Sequence, residues 1–112
     1  MQINVTGSKQ IVDEELRKYV TKQIGRHDKL LGPKTREIAV ADVAFKKVNG
    51  DVSCKLRVTL PQDTLEVEEI TVNAYAATDI VGPVVRDFLT KYSHKYGGGK
   101  LYHMLRMRLN RL

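Results

Sequence analysis

Apolar and polar residues alternate in four stretches of the chain, a pattern typical of half-buried β-strands. The stretches cover residues 1–5, a segment that begins at Glu37, residues 52–60 and residues 64–72. In the second stretch the apolar positions change parity near Ala41, which predicts a bulge or a twist there. The sequence therefore predicts four strands, and residues 52–60 show the strictest alternation.

Two other segments repeat apolar residues at intervals of three and four, the spacing of one face of an α-helix. The first face consists of Leu16, Tyr19, Val20, Ile24, His27 and Leu31, and the second of Ala77, Ile80, Val81, Val84, Val85, Phe88 and Tyr92. Asp13 is a suitable N-cap for the first helix, which we expect to end at Gly32-Pro33. Asn73 can cap the second helix, and Pro83 inside it predicts a kink or a break near residues 78–82.

The elements follow one another in the order strand, helix, three strands, helix. Asn49-Gly50 stands between the second and third strands and is a strong hairpin signal, because both residues tolerate positive φ. This order predicts an α+β fold, β-α-β-β-β-α, with a four-stranded sheet and both helices packed on one of its faces. A chain of 112 residues is long enough for one hydrophobic core.

The positive charge is concentrated in the C-terminal part of the sequence. The formal net charge is +6, and residues 73–112 hold seven Lys and Arg against two acidic residues. In the first helix the acidic residues precede the basic ones, an order that also stabilises a helix through its macrodipole. Two helices that both become basic toward their C-terminal ends predict a surface for a polyanion such as RNA.

Residues 97–112 differ in composition from the rest of the chain. Gly97-Gly98-Gly99 predicts a flexible joint, so we expect a domain of residues 1–96 followed by a glycine linker and a basic tail, residues 100–112. Leu101, Met104, Leu105 and Leu112 would share one side of a helix in the basic tail. Because so short a helix is marginal on its own, we expect the basic tail to dock on its own domain or on another molecule.

The motifs of common catalytic and metal sites are missing from the sequence. The glycine run before Lys100 does not match a phosphate-binding loop, and the three histidines lack metal-ligand spacing. Cys54 falls on the buried side of a strand, where a thiol acts as a small hydrophobe, and a single cysteine fits a reducing cytoplasm. We therefore expect a cytoplasmic protein with no membrane span, enzymatic activity, metal, cofactor or small-molecule substrate.

Four segments carry a resemblance to a known family. They are residues 1–7 (MQINVTG), residues 16–29 with their basic positions, residues 64–69 (TLEVEE) and residues 73–79 (NAYAATD). Together they resemble the bacterial ribosome hibernation-promoting factors and the related ribosome-associated inhibitor, whose second helix opens with Asp-Met-Tyr-Ala-Ala-Ile-Asp. The resemblance extends over residues 1–96 in the family's own order, and it is to the short members that lack a further domain.

The resemblance implies a β-α-β-β-β-α domain that binds the small ribosomal subunit. In that family the domain lies in the channel used by messenger and transfer RNA and blocks translation in stationary phase or under stress. No cofactor is implied, and we expect a monomer away from the ribosome. The basic positions that match the family are Arg17, Lys22, Arg26 and Lys29 in the first helix and Lys91 in the second.

The second helix departs from the family pattern. Val84, Asp87 and Thr90 stand where the family usually has basic residues, so we expect the positive charge to lie farther toward the basic tail. The candidate RNA-binding residues are Arg17, Lys22, Arg26, Lys29, Lys91, Lys95, Lys100, Arg106, Arg108 and Arg111.

Two other functions are compatible with the sequence. The domain can bind structured RNA outside the ribosome, in which case Lys55 and Arg57 on the wet face of the sheet would matter more than the helices. Alternatively, the protein is an interaction module whose basic tail docks on a partner protein or an anionic membrane surface.

Overall fold

Four strands form one sheet in the order β1-β2-β3-β4 in the computed structural model, which describes residues 1–96. The strands are β1 (Gln2–Thr6), β2 (Val40–Val48), β3 (Asp51–Thr59) and β4 (Thr64–Thr71), and the helices are α1 (Glu14–Gly25), α2 (Pro33–Ile38) and α3 (Ala74–Tyr96). Strand β1 is parallel to β2, whereas β2, β3 and β4 are antiparallel neighbours. The predicted α+β class and the β-α-β-β-β-α order are confirmed, with α2 as a short addition.

One face of the sheet is buried against α1 and α3. In β2 the residues Ala41, Val43 and Phe45 are buried and alternate with exposed neighbours, and β3 repeats this pattern, as the strict alternation predicted. The alternation in residues 52–60 would place Ser53 on the same wet face as Lys55 and Arg57, but Ser53 is buried, between Lys46 and Ile70 of the adjacent strands. The opposite side of the sheet, which we call the open face, carries no helix in residues 1–96.

The bulge predicted near Ala41 is wrong. Strand β2 pairs with β3 without interruption from Val40 to Val48. The apparent change of parity arose because Ile38 belongs to α2 rather than to the strand, and its side chain is 61% exposed. Pro33 begins this helix at a position where its missing N–H is not needed.

The turn between β2 and β3 has the predicted geometry. Asn49 and Gly50 both have positive φ, 50° and 87°. Two consecutive residues of this kind match the twist of a two-residue hairpin, which explains the preference for Asn-Gly. The hairpin prediction is therefore confirmed.

The first helix is shorter than its apolar face predicted. Its start is as expected, since the Asp13 carboxylate accepts a hydrogen bond from the Leu16 N–H at 2.8 Å. It ends at Gly25 instead of Leu31, and a 3₁₀ turn (Asp28–Leu30) follows. The chain tightens because the N–H of His27 bonds to the carbonyl of Ile24, three residues back.

Helix α3 runs without a break through Pro83, so of the predicted kink or break the break is wrong, whereas the kink stays a prediction. Proline in a helix interior costs about 3 kcal/mol, and here a long buried face offsets that cost. Pro83 itself points to solvent. The buried face also differs from the predicted one, because Ile80 is exposed while Thr78 and Leu89 are fully buried.

His27 lies at the edge of the core where α1 ends, as expected. Its side chain is buried, and burial lowers its pKa from 6.5. The nearby cations Arg26, Arg86 and Lys29 lower the pKa further, in that order. The native state therefore favours the neutral imidazole.

Replacing the α3 cap tests how strongly the sequence fixes the start of this helix. The Asn73 Oδ1 accepts a hydrogen bond from the Ala76 N–H at 2.8 Å. We expect Asn73→Ala to lower the free energy of unfolding by about 1 kcal/mol, because an orphan N–H loses its partner. Asn73→Asp is the matched control, since it keeps an acceptor and should retain the stability. Urea unfolding followed by circular dichroism measures both, and equal stability of the alanine variant would contradict the cap.

His27 should make the protein less stable in mild acid. Because the folded-state pKa is below 6.5, the unfolded chain binds more protons as the pH falls through that value. We expect the free energy of unfolding to fall between pH 7.5 and pH 5.5, and His27→Gln to reduce this fall. Urea titrations of both proteins at the two pH values measure the difference. An equal fall in both would show that His27 does not contribute.

Candidate nucleic-acid interface

Helices α1 and α3 lie side by side and run in the same direction. The Tyr19 and Tyr75 rings meet near the start of α3, with centroids 5.0 Å apart. Farther along, the Ser93 hydroxyl donates to the carbonyl of Leu30 in the 3₁₀ turn. Contacts that advance together along both segments require parallel helices, and because α3 is the longer one, α1 ends beside the middle of α3.

Acidic and basic residues are separated along α1. Glu14 and Glu15 occupy its first turn, and Lys22 occupies its last. Lys18, Lys22 and Arg26 are exposed and spaced by four residues, which places them in one row along the helix. The row therefore carries positive charge to the C-terminal end of α1, which lies beside the middle of α3.

A cleft opens where this row reaches α3. Arg26, His27, Lys29, Arg86 and Thr90 line it together with Leu30, and its volume is about 520 Å³. Lys29 belongs to the 3₁₀ turn after α1 and lines the cleft beside Arg26. We call Arg26, Lys29 and Arg86 the basic cluster.

Acidic side chains pair with one of the three cations of the basic cluster within residues 1–96. Arg86 contacts Asp87 at 3.5 Å, whereas no ion pair of Arg26 or Lys29 occurs within residues 1–96. The same three cations lower the pKa of His27 beside them, after the larger effect of its burial. Three cations around a small cleft form a site that suits phosphate oxygens.

Arg86 was not among the residues predicted from sequence. It is followed by Asp87, which made this part of α3 look neutral. What selects Arg86 is its position opposite His27, and no local sequence pattern reports that contact. A further helix–helix contact, the hydrogen bond from the Tyr19 hydroxyl to the Asp79 carboxylate, raises the pKa of Tyr19.

The remaining predicted residues of the domain lie apart from the cleft. Arg17 donates from Nη1 to the Val5 carbonyl at 2.6 Å and thereby ties α1 to β1. Lys91 lies about 140° around α3 from Arg86 at 100° per residue. Lys95 is on the same flank, with its Nζ 5.4 Å from the centroid of the Tyr96 ring. The structure therefore brings Arg26 and Lys29 together, with Lys22 in the adjoining row.

The basic residues predicted in the tail, Lys100, Arg106, Arg108 and Arg111, lie outside the described residues. The same holds for the predicted boundary between the linker and the basic tail. These residues remain predictions.

The open face of the sheet has a different electrostatic character. Arg57 forms an ion pair with Glu66 at 2.5 Å, and Lys55 forms one with Glu68 at 3.5 Å. Both cations are therefore matched by carboxylates of the neighbouring strand. This pairing weakens the alternative in which Lys55 and Arg57 bind structured RNA, because they offer little net positive charge.

The described part of the chain shows no feature of a metal or nucleophile site. No group of three or more His, Cys, Asp or Glu side chains in residues 1–96 is placed to hold a metal ion. Burial raises the pKa of the Cys54 thiol to about 12, with Glu69 adding to the effect, so the thiolate is not available at neutral pH. None of the helices in this part is long and apolar enough to cross a membrane.

Solved structures of other proteins share this fold. A ribosomal subunit interface protein from Coxiella burnetii superposes with a TM-score of 0.67 at 21% identity, covering 84% of this chain and 99% of its own. The N-terminal domain of Protein Y from Thermus thermophilus superposes with a TM-score of 0.68 at 22% identity, covering 82% of this chain and 99% of its own. At these identities the similarity shows the fold alone.

Comparison of the sequence with known proteins and family models identifies the family. No curated protein matches the chain. The model of one family, described as Sigma 54 modulation protein / S30EA ribosomal protein, matches residues 3–96. This match confirms the resemblance to hibernation-promoting factors and includes almost all of the described domain. The chain therefore belongs to the Sigma 54 modulation protein / S30EA ribosomal protein family.

Proposed function

We propose that the protein binds the small ribosomal subunit and inhibits translation by occupying the channel for messenger and transfer RNA in stationary phase or under stress. The observation that carries the proposal is the basic cluster, Arg26, Lys29 and Arg86, where the C-terminal end of α1 packs against the middle of α3 in a member of this family. The ribosomal subunit interface protein from Coxiella burnetii shares the fold and supports the same assignment.

The basic cluster would recognise RNA through its backbone. A-form RNA hides base edges in a deep, narrow groove and exposes phosphates and 2′-hydroxyls, so binding depends on shape and charge. The guanidinium groups of Arg26 and Arg86 can each donate two hydrogen bonds to one phosphate, and Lys29 adds a flexible third cation. Lys22 extends the contact along α1, whereas Lys91 and Lys95 would reach RNA on the other flank of α3.

The proposed inhibition requires binding to the small ribosomal subunit and no chemical reaction. We propose that the protein acts in the cytoplasm as a monomer away from the ribosome, with the domain of residues 1–96 as its ribosome-binding unit. Inhibition would follow from exclusion of messenger and transfer RNA, without a reaction at the site.

Charge reversal tests the basic cluster. We expect Arg26→Glu combined with Lys29→Glu to weaken binding to purified small subunits by at least about tenfold, because two phosphate contacts become repulsive. Lys46→Glu with Lys47→Glu is the matched control. It changes the net charge equally at exposed residues of β2 and should bind like the wild type. Co-sedimentation in sucrose gradients at low salt measures all three, and wild-type binding by the Arg26/Lys29 variant would remove α1 from the interface.

The salt dependence should identify how many phosphates the basic cluster contacts. Each phosphate neutralised by a cation contributes roughly −0.7 to −0.9 to the slope of log K against log salt. We therefore expect Arg86→Gln to reduce the steepness of this slope by about 1, and the double variant Arg26→Gln with Lys29→Gln by about 2. Filter binding of labelled protein to small subunits at several salt concentrations gives the slopes. Slopes equal to that of the wild type would contradict the assignment of these three residues.

A further competition experiment separates the ribosome from RNA in general. The wild-type protein should bind small subunits in the presence of excess free duplex RNA, and added messenger and initiator transfer RNA should displace it. Equal loss of binding to both competitors at the same concentration would favour a domain for structured RNA outside the ribosome.

A further inference from the structure

His27 is a buried histidine whose ring has no partner in the domain. The residue is 8% exposed, and its backbone is bonded in both directions, to the carbonyl of Ile24 and the N–H of Leu30. The two ring nitrogens form no hydrogen bond within residues 1–96, yet neither is sealed off from solvent. Buried polar groups are normally hydrogen-bonded, so an open ring nitrogen of this kind can receive a ligand.

Two cavities meet at His27. One is the cleft of about 520 Å³ that contains the basic cluster, and the other is a smaller cavity of about 220 Å³ between α1 and α3. Arg26, His27 and Arg86 line both. The imidazole therefore lies in a shared wall with two guanidinium groups, one from the end of α1 and one from α3.

The cations that face His27 come from every segment that meets there. Arg26 follows α1, Lys29 is in the 3₁₀ turn and Arg86 is on α3, where it also contacts Asp87 at 3.5 Å. All three lower the pKa of His27, after the larger effect of its burial. In the unliganded protein at neutral pH the imidazole is therefore neutral.

The carboxylates around His27 do not offset these cations in the cleft. Asp79 lines the smaller cavity, where it accepts a hydrogen bond from the Tyr19 hydroxyl. Asp28 contacts the terminal amino group of Met1 at 3.4 Å. Within residues 1–96 no acidic side chain lines the cleft itself, so an anion supplies the charge that the cleft lacks.

An anion bound in the cleft would change the protonation of His27. A phosphate oxygen beside the ring accepts a hydrogen bond from its N–H and favours the charged imidazolium. Binding of the anion and binding of the proton then strengthen each other by the same factor. The affinity for the anion should therefore rise as the pH falls toward the pKa of the unliganded His27.

We propose that His27 is a fourth phosphate-binding residue of the cleft and takes up a proton when an RNA phosphodiester enters it, so that mild acid strengthens binding. Arg26 and Arg86 donate to the phosphate together with the His27 ring. The bound phosphate offsets the unfavourable burial of the imidazolium. The extension to the ribosome rests on the proposed function, whereas the site itself requires only a phosphodiester anion.

Binding of a short oligouridylate at pH 5.5 and pH 7.5 tests the site without the ribosome. Neither the phosphodiesters nor uracil titrates in this range, so a change in affinity reports groups of the protein. We expect the full chain to bind at least about threefold more tightly at pH 5.5, since one proton contributes at most about tenfold per pH unit. Fluorescence anisotropy at low salt measures the affinity. Equal affinity at both pH values, or no binding at either, would overturn the proposal.

Two glutamine variants assign the effect to one histidine. His27→Gln keeps a donor that does not titrate, so it should bind oligouridylate equally at both pH values. His94→Gln is the matched control, because His94 does not line the cleft, and it should keep the wild-type ratio of affinities. A wild-type ratio in His27→Gln would overturn the proposal.

Nuclear magnetic resonance follows the proton directly. The pKa of the His27 ring should rise by at least about 1 when oligouridylate saturates the full chain, because the bound anion favours the imidazolium. An unchanged pKa in the saturated protein would contradict the proposed contact.

The same comparison with purified small subunits separates this inference from the proposed function. Tighter binding of small subunits at pH 5.5 by the wild type, and not by His27→Gln, would support both. If small subunits do not bind at either pH while oligouridylate binds as expected, the ribosome is the wrong target and the site stands. If both ligands bind independently of pH, the role of His27 is wrong and the proposed function stands.

Discussion

The parallel packing of α1 and α3 on one face of the sheet is the constraint on which the rest of the structure depends. The crossover from β1 through α1 to the parallel strand β2 makes α1 run against both strands. Strand β4 is antiparallel to β3 and so runs parallel to β2. Helix α3, which returns from the end of β4, therefore runs in the same direction as α1. The negative end of the α1 macrodipole lies where α1 stops against the middle of α3, and the cations Arg26, Lys29 and Arg86 at that point are favourable for it. The basic residues at this end therefore stabilise the fold and create the surface proposed for RNA.

Most of the fold could be predicted from local patterns, because most strands, turns and caps are determined by residues close together in the sequence. The alternation in residues 52–60, the Asn49-Gly50 turn and the Asp13 cap act within a few residues and were interpreted correctly. The errors arose where tertiary packing decides. Pro83 predicts a break on local grounds, but burial along the whole of α3 outweighs the lost hydrogen bond. Ile38 fits the alternation of the strand that follows, so the strand was predicted from Glu37, although the helix that Pro33 begins continues to Ile38.

The candidate site could be predicted only in part, for the same reason. Arg26 and Lys29 lie on one continuous segment, and the family resemblance selects them. Arg86 is fifty-seven residues beyond Lys29 and joins them only through the packing of α3 against the end of α1. Arg17 is the opposite case. Its charge fits the family pattern, but its guanidinium donates a hydrogen bond to the backbone of β1 instead of lining the cleft. Whether a basic residue is a candidate RNA contact therefore depends on the side chains packed around it. The local sequence does not show which side chains these are.

The two faces of the domain use cations in different ways. On the open face Lys55 and Arg57 meet carboxylates directly across the strands, and exposed pairs of this kind contribute no more than about 1 kcal/mol each. Their larger effect is to cancel the local field, which keeps this face from competing for a polyanion. On the helix side Arg26 and Lys29 have no such partner within residues 1–96, and the field there persists. Ion pairs on the open face remove its attraction for RNA, whereas the unpaired cations on the helix side keep theirs. A domain can in this way direct RNA to one side whatever the sign of its net charge.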